Sequence, residues 1–228
     1  IPGLVIELYT QPAQRPSLRA DLAQSQLQRL EAWRKSGLLS SYRLLFTRYA
    51  DAGQWDAMEV LTFPDATALG RWKTVEAATP AGLAPEAASL ISQIVTTPQS
   101  MIAVSGASSE EDASQVFLVV PYHVHAPLAD YEDYLRPIDL QFDALMKSHD
   151  LNGYEIHFST YPIDRPWQSL ILLRYHDDEA LAMREDSMAR VRAGLASNPA
   201  FLKVTSDKKA VRDEAGPAVA DELGEGGY

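Results

Sequence analysis

The sequence contains no cysteine. Disulfides, thiol catalysis and thiolate metal sites are therefore excluded, while the compartment stays open, because a reducing cytosol and a periplasm both accept a cysteine-free chain. No run of about eighteen apolar residues occurs, so no membrane-spanning helix is expected. Positive charge is scarce, with 20 Lys and Arg against 31 Asp and Glu and a net charge of −11. Such a chain repels phosphate. With no basic patch along the sequence, neither nucleic acid nor an anionic membrane surface is an expected partner. Also missing are a Gly-x-Gly-x-x-Gly opening a helix, a phosphate loop with lysine, a Gly-x-Ser-x-Gly elbow and a His-Glu-x-x-His pair. These absences disfavour nucleotide-dependent, α/β-hydrolase and zincin chemistry.

What is present is a repeat. Shifted by 112 positions, Arg29–Trp72 lies on Gln141–Arg184 without a gap, with twelve identities in forty-four positions, where chance gives roughly two or three. The matches include Leu39/Leu151, Tyr42/Tyr154, Phe46/Phe158, Trp55/Trp167, Leu61/Leu173 and Asp65/Asp177. Most are apolar, aromatic or cap residues, so the repeated property is a fold and not a catalytic motif. For 228 residues the expected organisation is a first repeat over 1–106, a linker over 107–114 rich in Ser, Glu and Asp, and a second repeat over 115–228. Because the chain starts Ile1-Pro2 and not with Met, a removed leader or a trimmed end is expected, with export favoured over a cytoplasmic place.

Periodicity supplies the elements. Leu4–Tyr9 reads as a strand, Ser17 to Gly37 as an amphipathic helix, and Tyr42–Tyr49 with Trp55–Phe63 as a hairpin. Asp65 is placed to cap a second helix carrying Leu69, Trp72 and Val75. A helical piece around Glu86–Ile94 then leads to a short strand at Met101–Val104. The second half repeats the order: a strand at Val116–His125, a helix from Asp130 that Pro137 is expected to kink, a hairpin over Tyr154–Tyr161 and Trp167–Tyr175, a helix capped by Asp177, and a helical stretch from Asn198-Pro199 to about Glu214. The last strand is expected at Pro217–Leu223, followed by a frayed Gly-Glu-Gly-Gly-Tyr tail. Each half is thus β-α-β-β-α-β, the ferredoxin-like unit. The fold class is α+β, with two tandem repeats packed sheet to sheet, since one such unit leaves a sheet face that needs a cover.

On this element order the chain resembles the dimeric α/β-barrel superfamily, here with both units in one polypeptide. Its first half resembles a NIPSNAP-type repeat through Val5-Ile6-Glu7-Leu8-Tyr9-Thr10, a helix, a hairpin ending near Trp55 and a helix containing Trp72. The resemblance implies a bacterial small-molecule-binding protein, either a cofactor-independent monooxygenase-like enzyme or an isomerase-like one. It equally admits a non-catalytic binding or structural module, and a haem- or metal-binding member. Function on so common a fold has to be argued from the site.

All five histidines lie in the second half, opposite Gln11, Ala13, Gly37, Leu45 and Pro64 of the first. Alternation on a strand points His123 and His125 one way, and likewise Glu155 and His157. Imidazole and carboxylate in reach of each other make a general base or a metal site. The bland alternative is solvent-facing or strand-end histidines. His149 ends a helix, where capping is favoured over haem ligation. His176 precedes the cap Asp177. Arg174, in an otherwise apolar strand, suits an anionic ligand or a neighbouring acid equally. The candidate catalytic residues are His123, His157 and Arg174, and the candidate ligand-binding residues are His125, Tyr154, Glu155 and His176. No metal ligand set is identified and the cofactor is unknown. The expected site lies between sheet and helices of the second repeat. Glu7, Arg43, Glu59 and Glu155 also interrupt strands, and if they share one face between sheets they form an ion-pair network there.

Overall fold

A computed structural model describes residues 1–106 and 116–228. The expected linker at 107–114 lies outside the described residues. The chain is α+β and divides into two compact units, Ile1–Ile102 with Phe158–Ile163 and Ala218–Tyr228, and Ala103–His157 with Asp164–Pro217. No helix among the described residues is long and apolar enough to cross a membrane.

In the first unit β1 (Pro2–Thr10) is flanked by β3 (Ala57–Thr62) and β4 (Ile91–Ser105), and β2 (Ser41–Thr47) joins β3 to β9 (Ala218–Gly226). All four pairings are antiparallel. Alternation puts Leu4, Ile6 and Leu8 of β1 on the helix side, where they share a core with Leu18, Leu22, Leu30 and Trp72. The helices are α1 (Arg15–Asp21), α2 (Leu27–Lys35), α3 (Ala66–Ala78) and α4 (Pro85–Leu90). Trp72 meets Trp33 and Phe63 edge to face, with centroids 5.1 and 5.8 Å apart.

Three expectations are corrected here. The helix expected around Glu86–Ile94 ends at Leu90, and β4 runs fifteen residues from Ile91. Its β-branched run Ile91, Ile94, Val95, Thr96, Thr97 pairs with the free edge of β1, from Ile91 opposite Thr10 to Ser100 opposite Pro2. The tail is not frayed. β9 continues to Gly226 along β2, and the Tyr228 ring lies 4.2 Å from the Arg43 guanidinium. Finally, Glu59 does not share a face with Arg43. It stands opposite Ile6 and Leu44, on the helix side, where Gln26 Nε2 donates to its Oε1 at 2.7 Å. A π-helical turn at Leu22–Gln26 between α1 and α2 buries Leu22 and Gln26 together.

In the second unit the strand order is β6 (Leu151–Ser159), β7 (Ser169–Tyr175), β5 (Val116–Val124) and β8 (Arg212–Glu214). Over the sheet lie α5 (Leu128–Lys147, with Pro137 inside it), α6 (Asp178–Ala182), α7 (Arg184–Gly194) and α8 (Pro199–Val211). Apolar residues of α5 recur at helical spacing, Tyr131, Leu135, Ile138, Phe142 and Leu145, and all are buried.

The matched aspartates act alike. Asp65 accepts from the Ala68 N–H and Asp177 from the Ala180 N–H, both at 2.8 Å. Each satisfies one orphan donor at a helix start. Asp65→Ala and Asp177→Ala are each expected to cost about 1 kcal/mol, read as a shift of the urea midpoint.

Candidate functional site

The second unit contains a cleft between its sheet and its helices, with a volume of about 180 Å³. β5 contributes Val120 and Tyr122 to the wall and β7 contributes Ile171 and Leu173. These are alternate positions on paired strands, and hence one face. From α5 come Tyr134, Ile138 and Phe142, and from α7 and α8 come Met188, Phe201 and Val204. A dry cavity of about 150 Å³ holds a benzene ring. This cleft therefore suits one ring inside and a second at its mouth.

Arg212 dominates the chemistry of the cleft. It is the first residue of β8, opposite Val124, and only 6% exposed. Its guanidinium carbon sits 3.7 Å from the centre of the Tyr122 ring and 5.4 Å from that of Tyr134, and Nη1 donates to the Tyr131 hydroxyl at 2.9 Å. Among the described residues no carboxylate pairs with it. Burial pushes the Tyr122 hydroxyl up to about 12 even with Arg212 beside it, and also raises Tyr134. Both phenols are neutral at physiological pH, so neither cancels the charge. Cation–π contacts return about 1–2 kcal/mol, whereas burying an ion costs several. The charge is under-compensated, and it faces a cleft.

None of the seven residues singled out from sequence lines this cleft or the second one between α5 and α8. His123 is exposed, with Nδ1 3.2 Å from Gln168 Oε1, and His125, also exposed, has Nε2 2.7 Å from Asp213 Oδ2. His176 and His149 are exposed. His157 and Glu155 do meet: His157 is 0% exposed and its Nε2 lies 3.1 Å from Glu155 Oε2. Arg174 is buried on the neighbouring strand and donates from Nη2 to Asn152 O at 3.3 Å. Gly153 leaves room for it, since a Cβ there would stand 2.8 Å from Nη2. Tyr154 faces the other way, 4.9 Å from the Phe142 ring. Burial, together with the Asp139 carboxylate, raises its hydroxyl well above the ordinary range.

Arg212 escaped sequence reasoning because Lys208-Lys209-Ala210-Val211-Arg212-Asp213-Glu214 reads as the solvated end of a helix. A usable signal was the end of helical periodicity at Val211, which turns Arg212 into a strand residue facing Tyr122.

A haem does not fit this cleft. It offers no imidazole or thiolate, and its volume is below the roughly 300–1,000 Å³ of common cofactor and ligand pockets. Among the described residues no three His, Asp or Glu side chains are gathered as a metal centre requires.

Neither protein-family models nor curated proteins give a match to the chain. Solved structures do. A candidate monooxygenase from Lactobacillus acidophilus NCFM superposes with a TM-score of 0.62 at 13% identity, covering 98% of this chain and 95% of that one. An anthrone oxidase-like protein gives 0.61 at 10%, covering 99% and 92%. A haem-binding protein from Thermus thermophilus gives 0.53 at 11%, covering 97% and 90%. At these identities the likeness shows the fold, which is α+β and of the dimeric α/β-barrel kind.

Proposed function

We propose that this protein binds a small oxygenated ring compound in the cleft of its second unit and acts on it as a cofactor-independent monooxygenase. The observation that carries the reading is Arg212, a buried guanidinium with no acid partner among the described residues, beside the Tyr122 and Tyr134 rings in the wall of the cleft. A phenol or enolisable ketone that placed its oxygen on Arg212 would lose its proton more readily, because an adjacent positive charge favours the anion. The aromatic walls hold the ring, and the proton leaves to solvent at the open mouth. The electron-rich anion then reacts with dioxygen, the co-reactant. With 1-naphthol as probe, one oxygen atom enters the ring at C4 and becomes a carbonyl. The other leaves as water with the C4 and hydroxyl hydrogens, so naphthol gives up four electrons and dioxygen takes them. The names of two structural neighbours, a candidate monooxygenase and an anthrone oxidase-like protein, support this class of chemistry. The twelve matched positions and the paired aspartate caps support a duplicated origin for the two units.

The test is oxygen uptake with 1-naphthol, by electrode, for the wild type and Arg212→Met. We expect one dioxygen consumed per naphthoquinone formed above the spontaneous rate, and a loss of at least about a hundredfold in the variant, the scale for removing an oxyanion partner. Because a buried unpaired charge is costly, Arg212→Met should be as stable as wild type or more so. A variant that oxidises naphthol normally would remove Arg212 from the site. Consumption of 1-naphthol without oxygen uptake would overturn the monooxygenase reading.

A further inference from the structure

The mouth of the same cleft is lined by cations in a protein whose net charge is −11. Besides Arg212, the lining includes Arg184 and Arg192 from α7 and Lys208 from α8, against one carboxylate, the exposed Glu214. Two of them have partners of their own. Arg192 Nε reaches Gln141 Oε1 at 3.4 Å, and Arg184 Nη1 pairs with Glu185, whose side chain is 81% exposed. The Lys208 carbonyl accepts from the Arg212 N–H at the end of α8, while its ammonium makes no hydrogen bond or ion pair among the described residues. Burial lowers its ammonium pKa, and Arg212, Arg192 and Arg184 lower it further, partly opposed by Glu214. Four cations gathered around one exposed carboxylate repel one another more than that carboxylate offsets. An anion placed among them removes that repulsion.

We infer that the substrate class is anionic: a one- or two-ring compound bearing a carboxylate or sulfonate, whose acid group sits among Arg184, Arg192 and Lys208 while its ring enters toward Arg212. The inference rests on the cleft being the ligand site and adds the second recognition point. Arg212 handles the ring oxygen and the outer three handle a permanent charge. Arg192 and Lys208 are exposed, so they would bind and orient, and replacing them is expected to leave the fold intact.

The matched probes are 5-aminonaphthalene-1-sulfonate and 1-naphthylamine, which share a two-ring system and differ by the sulfonate. Affinity is read by fluorescence titration at low salt, with 1-naphthol as competitor to confirm the cleft. We expect the sulfonate to bind at least about tenfold more tightly, the scale for a partly desolvated ionic contact, and to lose that margin in Arg192→Gln/Lys208→Gln and in high salt. Binding of the neutral amine should change far less. Equal affinities for the two probes would overturn the anionic class while leaving the cleft as the site. A sulfonate preference untouched by the double variant would place the anion elsewhere and overturn the inference. Failure of both probes to compete with 1-naphthol would sink the cleft reading, and this one with it.

Discussion

Replacing Glu59 by glutamine is expected to abolish a loss of stability of about 5 kcal/mol that the wild-type protein undergoes as the pH rises from about 4.5 to about 8. Glu59 is completely buried, and burial raises its carboxyl from 4.5 to about 8. Gln26 partly opposes the shift by donating a hydrogen bond. Glu76 adds to it and Arg29 reduces it. The sign follows from the protons. Below about 4.5 the folded and unfolded chains both hold the proton. Between 4.5 and 8 only the unfolded chain releases it, so unfolding gains and stability falls. Above about 8 both are ionised and the loss is complete. Glutamine has the shape of the protonated acid and can still accept from Gln26, so Glu59→Gln should keep its stability at pH 8.5. Urea denaturation of both proteins at pH 4.5 and pH 8.5 reads the difference directly. Parallel falls in the two proteins would show that Glu59 titrates normally.

The second large effect is expected at Arg43. Its side chain is 2% exposed and sits on β2 against the carboxylates of Glu222 and Glu225 on β9, under the Tyr228 ring. Arg43→Met removes the cation and leaves two partly buried carboxylates facing each other. Breaking a buried pair from one side costs about 3–5 kcal/mol. Adding Glu222→Gln and Glu225→Gln to the same variant removes the stranded charges and should restore most of the stability. The single variant should also expose 218–228 to proteolysis, seen as a shortened chain by mass spectrometry. A cost below about 1 kcal/mol, or no recovery in the triple variant, would mean that the clasp contributes little and backbone pairing alone holds β9.

These two positions show how differently the chain could be read in advance. Glu59 and Arg43 both stand out in sequence as charges inside apolar strands, and both are buried. Which face each takes depends on register, and register is a property of the paired strands: Glu59 lies opposite Ile6 and Leu44, whereas Arg43 lies opposite Val60 and Glu225. A one-residue shift would exchange the faces. The same limit applies to the site. The second half draws attention in the sequence because it holds all five histidines, none of which lines the cleft found there. The cleft's charged residues could not be inferred, since Arg184, Arg192, Lys208 and Arg212 are spread over α7, α8 and β8. On each element alone they look like solvent-facing charges. The histidines drew attention because imidazole is rare and versatile, yet only His157 is buried, paired with Glu155 on its own strand.

From the sequence alone, the α+β class, the central strands, the amphipathic helices and the caps at Asp65 and Asp177 were determined. Each is set by local rules: side-chain alternation, helical spacing, and a short acidic side chain reaching its own backbone. The tertiary structure alone decided that Ile91 continues as strand, that β9 closes on β2, that a π-turn carries Gln26 to Glu59, and that four cations from three elements meet at one cleft. Those outcomes depend on partners distant in the chain. A strand edge needs another strand, and a buried charge needs whatever its neighbours can supply.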